Sequence, residues 1–123
     1  MKKFLFILML LFTTTLSYSQ TYYTDYISRM IKVDSCWTDW TDWEQCFTEV
    51  TINDSTISIY DVQEYTILEI VDTEEDDYSQ TIKYKVVYNK DKVIFIRFRK
   101  QIGGIKQLYL DYENVIYVYN LNY

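Results

Sequence analysis

From Trp43 to Leu121 the chain is a series of short β-prone runs separated only by tight turns, and this spacing constrains the fold more than any other feature. A parallel connection needs a crossover of a dozen or more residues. No gap between these runs is that long, so the sheet must be antiparallel. Trp43 to Asn53 alternates, with Cys46, Thr48, Val50 and Ile52 on one face and Phe47, Glu49 and Thr51 on the other. Asn53-Asp54-Ser55 makes a turn, because Asn and Asp tolerate left-handed backbone and bond their own chain. Thr56 to Tyr60 returns with Ile57 and Ile59 inward, which completes a hairpin.

Tyr65 to Val71 is the next strand and Asp72 to Asp77, DTEEDD, an acidic loop. Gln80 to Tyr88 alternates, with Ile82, Tyr84, Val86 and Tyr88 on one face, and Asn89 to Lys92 turns the chain. Val93 to Lys100 begins apolar on both faces, as a strand covered on both sides would. Gly103-Gly104 is a two-residue hairpin signal, since both positions can take positive φ. Ile105 to Asp111 and Val115 to Leu121 complete the series. Upstream, Thr21 to Val33 reads two ways. Tyr22, Tyr23, Tyr26, Ile27, Met30 and Ile31 fit helical spacing, whereas Tyr23, Ile27, Ile31 and Val33 would share one face of a strand. The strand is preferred, because a lone short helix needs a packing partner. Fourteen tyrosines, no proline and two glycines agree with it. The expectation is a single all-β domain over 20–123. An antiparallel meander of seven to eight strands forms a small barrel or half-barrel, lipocalin-like in outline; the alternative is a two-layer sandwich.

Residues 1–19 read as a signal peptide. Lys2 and Lys3 precede nine apolar residues, Phe4 to Phe12, and Ser17-Tyr18-Ser19 fits a cleavage site. The apolar run is too short to span a bilayer, which takes about 20 residues. The expected mature chain, Gln20 to Tyr123, is exported to the periplasm or the extracellular space and has no stable membrane insertion. It keeps 10 basic and 18 acidic residues, a net charge of −8. Such acidity argues against nucleic acid and anionic lipid as partners.

Ser35 to Tyr60 holds both cysteines and all three tryptophans. Cys36 and Cys46 lie ten apart. In one extended strand they would stand about 33 Å apart, so a bond between them requires the chain to double back near Thr41. Export permits oxidation, and a Cys36–Cys46 disulfide across such a hairpin is expected; two buried free thiols are the alternative. Trp37, Trp40 and Trp43 recur every third residue, a period that fits neither helix nor strand. They read either as core packing or as an aromatic platform on which Trp37, Asp39, Trp40 and Asp42 bind a partner. Trp43, starting a regular strand, is expected to be buried, and Trp40, near the hairpin tip, exposed.

Charge is segregated. From Asp34 to Asp77 there are 14 acids and no base, and from Lys83 to Lys106 eight bases and one acid. Acidic strands lying beside basic ones would account for this. A basic face on Lys83, Lys85, Arg97 and Arg99 capturing an anion is the other reading. The DTEEDD stretch lacks the glycine and spacing of a calcium loop. There is no histidine, hence no usual base for a Ser or Cys nucleophile and no usual zinc ligand. No catalytic residue, metal site or cofactor is expected.

The lysine-led leader ending before Gln20, the Trp37-Thr38-Asp39-Trp40 segment, the hairpin TINDSTISIY and the closing QLYLDYENVIYVYNL resemble short, uncharacterised exported β-rich proteins of flavobacteria and related Bacteroidetes. The resemblance implies export and an all-β domain, with no functional residues to carry over. Exported lysozyme inhibitors also pair a small barrel with a disulfide, but their Ser-Gly-containing motif is missing. The function expected is a non-catalytic exported binding module for a protein or glycan. The alternatives are a carrier holding a small apolar ligand in a barrel cavity, and a structural or adhesive surface component.

Overall fold

The computed structural model describes residues 19–121, so nearly all of the expected leader lies outside the described residues. Ten strands follow one another: β1 (Gln20–Val33), β2 (Cys36–Trp37), β3 (Glu44–Gln45), β4 (Glu49–Ile52), β5 (Thr56–Ile59), β6 (Gln63–Glu75), β7 (Ser79–Tyr88), β8 (Lys92–Gln101), β9 (Lys106–Asp111) and β10 (Val115–Leu121). No residue among those described is helical. All pairings are antiparallel, in the order β10-β9-β8-β7-β6-β5-β4-β1, and β1 also pairs with β10. That last pairing closes an eight-stranded barrel and excludes the two-layer sandwich. β2 and β3 lie outside the ring, each against β1.

The ambiguous first segment is therefore a strand, though not with the face expected of it. A bulge between Thr24 and Tyr26 adds a residue and exchanges inside for outside. Tyr22 and Thr24 are buried before it, Ile27 packs inward after it, and Tyr23 stays exposed. β1 is long enough to hold β4 along Gln20–Tyr23 and β10 along Thr24–Ile31.

Inward side chains fill the barrel. Val50, Ile57, Tyr65, Val86, Ile96 and Leu108 keep no accessible surface, so among the described residues the middle of the lumen is packed, and a cleft lies toward each end. Burying a side chain of this size stabilises by about 1.5–3 kcal/mol. Ile57 and Ile59 point inward as their alternation predicts. Val93 does not fit its expectation, since it is exposed; along β8 the inner Ile94, Ile96 and Phe98 are buried, and the outer Phe95, Arg97 and Arg99 are partly covered.

The turns follow the sequence chemistry. The Asn53 carboxamide oxygen accepts the backbone N–H groups of Ser55 and Thr56 at 3.0 and 2.7 Å. Gly103 and Gly104 take φ of +92° and +83° within a four-residue connection, Ile102 to Ile105, rather than a two-residue one. The acidic stretch departs from expectation, since Asp72 to Glu75 continue β6 as a strand. The turn itself falls at Asp76, whose carboxylate accepts N–H groups from Tyr78 and Ser79, both at 2.7 Å. Those two bonds hold its pKa below the usual carboxylate range.

Candidate binding face

The expected hairpin between the cysteines does not form. The chain from Cys36 to Thr48 runs extended beside β1. Cys36 pairs with Val33, and the Cys46 N–H donates to the Asp25 carbonyl. Eight residues of β1 separate those two points, about 26 Å at 3.3 Å per residue. Both thiols are free, Cys36 exposed and Cys46 half-buried against the core. The disulfide is corrected for the reason its own geometry supplies: one extended run cannot bring its two ends together.

The same run explains the period of three. The Thr38 N–H donates to the Ile31 carbonyl at 2.8 Å, and the Thr38 hydroxyl accepts the Ile31 N–H at 3.0 Å. Thr41 repeats both bonds with Arg29, at 2.9 and 3.0 Å. Glu44 then pairs with Ile27. Three residues of this segment thus advance for every two of β1, in the manner of repeated bulges. Each threonine clips the segment down; Trp37 pairs with Lys32 at the end of β2, and Trp40 and Trp43 fall on the surplus chain between the clips. Trp37, Trp40 and Trp43 are 42, 41 and 48% exposed, so the burial expected of Trp43 is not found. Asp39 and Asp42, between them, are exposed as well.

Trp40 turns back over the barrel wall. Its ring meets Tyr109 of β9 edge-on, with centroids 6.3 Å apart. Below them lie Ser28 and Val118, outward-facing register partners of β1 and β10. Both are 3% exposed although they face away from the lumen. The Ser28 hydroxyl donates to the Thr41 carbonyl at 2.7 Å. Tyr109 continues the row: the Arg97 guanidinium lies over its ring at 4.4 Å and grips Asp111 with two bonds, of 2.7 and 2.8 Å. This is the one ion pair within 4 Å among the described residues.

Beyond Tyr109 the outer face hollows into a polar cleft of about 390 Å³. Asp72, Glu74 and Asp76 of the β6 side face Lys83, Arg97 and Arg99 across it. The register explains the segregated charge, since Asp72 pairs with Lys83 and Glu69 with Lys85. Along a strand alternate residues point to opposite faces. The acidic run therefore splits its carboxylates, and among the described residues no three His, Cys, Asp or Glu side chains gather closely enough to hold a metal ion.

The face brings Trp40 together with Tyr109, Arg97 and Asp111, while Trp37 and Trp43 flank it along β1; Lys32 lies 5.9 Å from the Trp37 ring. Tyr109 and Asp111 could not be singled out from the sequence, where they are ordinary alternating positions of a late strand. The chain matches no protein-family model, no curated protein and no solved structure.

Proposed function

We propose that this is a non-catalytic exported binding module that recognises a glycan or a protein through its outer tryptophan face. The observation that carries the reading is the half-exposure of all three indoles, with Trp40 fixed against Tyr109 beside a bidentate Arg97–Asp111 pair. Large exposed aromatic patches mark interaction sites, and Trp, Tyr and Arg dominate interface hot spots. Flat rings suit the apolar face of a sugar, and the neighbouring Asp39, Asp42 and charged cleft suit its hydroxyls. Because Trp40 already rests against Tyr109, less ordering of its ring is needed on binding.

A glycan array probed with the intact domain and with Trp40→Ala tests this. Saturable binding to a glycan is expected, reduced at least tenfold in the variant. Truncating Trp40 also removes an aromatic pair worth about 0.5–1.5 kcal/mol, so a modest fall in Tm is expected beside the lost binding. Unchanged binding after replacing all three tryptophans together would sink the proposal.

A further inference from the structure

The barrel has a second candidate site, at the end that carries the β5–β6, β7–β8 and β9–β10 turns. There Val62, Leu110, Tyr112, Val115, Tyr117 and Tyr119 line an open cleft of about 450 Å³, within the usual range for small-molecule sites of about 300–1,000 Å³. None of the lining side chains carries a charge. The cleft at the opposite end differs: it is smaller, about 210 Å³, and is rimmed by Asp54, Lys100 and the amides of Gln20, Asn53 and Gln80.

The tyrosine end is built rather than merely left open. Tyr65, Tyr88, Tyr112 and Tyr117 form a continuous series of edge-to-face rings, with successive centroids 5.5, 5.9 and 5.9 Å apart. The Tyr65 and Tyr112 hydroxyls lie 2.5 Å from each other and tie the series to the packed core. Rings held this way need no reordering to receive a further ring. A tyrosine phenol is uncharged at neutral pH, and burial pushes that of Tyr119 further up, to about 12. We infer that this mouth is a binding site for a small uncharged molecule with a planar ring and a hydrogen-bonding substituent, which stacks among the tyrosine rings and bonds to their hydroxyls. This site is separate from the outer tryptophan face, and the carrier function it implies needs no hollow lumen.

Two probes with one ring system, 2-naphthol and 2-naphthalenesulfonate, test the inference by fluorescence titration of the intact domain. The naphthol should bind saturably and at least tenfold more tightly than the sulfonate. Val62→Trp, a change on an exposed turn that fills the cleft, should abolish naphthol binding. Trp40→Ala, on the outer face, should leave it unchanged. Two bases stand at this end by register, Arg29 opposite Tyr117 and Lys92 opposite Tyr88; tighter binding of the sulfonate would show that these bases govern the mouth and would overturn the inference. Unaltered naphthol binding in Val62→Trp, or loss in Trp40→Ala alone, would overturn it too. The first of those results leaves glycan binding by the outer face untouched, and the second would place the naphthol on that face.

Discussion

Tyr65 and Tyr112 share a hydrogen bond but not an environment. Tyr65 has no accessible surface, whereas Tyr112 is half-buried in the mouth of the barrel. Removing one hydroxyl strands the other, and the consequence depends on whether water can replace it. Tyr112→Phe leaves the buried Tyr65 hydroxyl without a partner, at about 1–3 kcal/mol. Tyr65→Phe leaves the Tyr112 hydroxyl beside solvent and should cost about 1 kcal/mol or less. The double variant should be more stable than Tyr112→Phe alone. Urea unfolding of the three proteins checks the order, and a Tyr65→Phe protein as unstable as Tyr112→Phe would contradict it. Some residue-scale features can be read in the sequence and some cannot, for a physical reason. The Asn53 turn is local chemistry, visible in Asn53-Asp54-Ser55. The choice of Tyr22 over Tyr23 as the buried tyrosine is not local, because a bulge after Thr24 resets the face of β1 and only the partner strand fixes where it falls.

At the scale of elements, the segment Cys36–Thr48 is the most informative. Its period of three stands plainly in the sequence, and its meaning does not, because that meaning is a ratio to β1. Three residues against two is a regular pattern only once β1 lies alongside. The expected disulfide is absent for the same reason: the spacing of Cys36 and Cys46 suits a hairpin, and the segment is a bulged edge strand. β2 and β3 touch no strand but β1, so the outer edge of this segment is open. Bulges and inward or flanking charges are how natural edges avoid pairing with other chains. The surplus residues and the carboxylates of Asp39, Asp42 and Glu44 supply both. Few bonds hold the segment down, and this should show in hydrogen exchange. The amides of Thr38, Thr41 and Cys46, which donate to β1 carbonyls, should exchange more slowly than those of Trp40 and Trp43. All of them should exchange faster than the paired amides of β7 and β8, which lie inside the ring. Uniform protection from Cys36 to Thr48 would mean that the segment is a regular strand and would remove the explanation for its exposed tryptophans.

For the whole molecule, antiparallel order followed from connection length, but closure did not. It depends on β1 reaching from β4 to β10, a length that the sequence supplies without saying how it is used. Closing the barrel places a band of tyrosines in and around the core, and this has a consequence for stability against pH. Burial raises the pKa of Tyr22, Tyr65, Tyr84, Tyr112 and Tyr119 above the ordinary value of 10.0, that of Tyr119 to about 12. A phenol with a raised folded pKa holds its proton longer in the folded chain than in the unfolded one. Its contribution is complete below pH 10 and is lost as pH rises toward the folded value. For Tyr119 the slope is about 1.4 kcal/mol per pH unit, or about 2.7 kcal/mol between pH 10 and 12. Tyr65, fully buried and shifted in the same direction, adds to the loss. Domain stability of this size is about 5–15 kcal/mol in total, so two such groups suffice to threaten the fold. Urea midpoints should therefore stay flat with respect to these groups between pH 7 and 9 and fall steeply above pH 10. Tyr119→Phe should shed part of that alkaline slope, because it removes one of the protons the unfolded chain gives up. Stability that holds level to pH 12, or a Tyr119→Phe slope equal to that of the parent, would show that the tyrosines are not buried as the closed barrel requires.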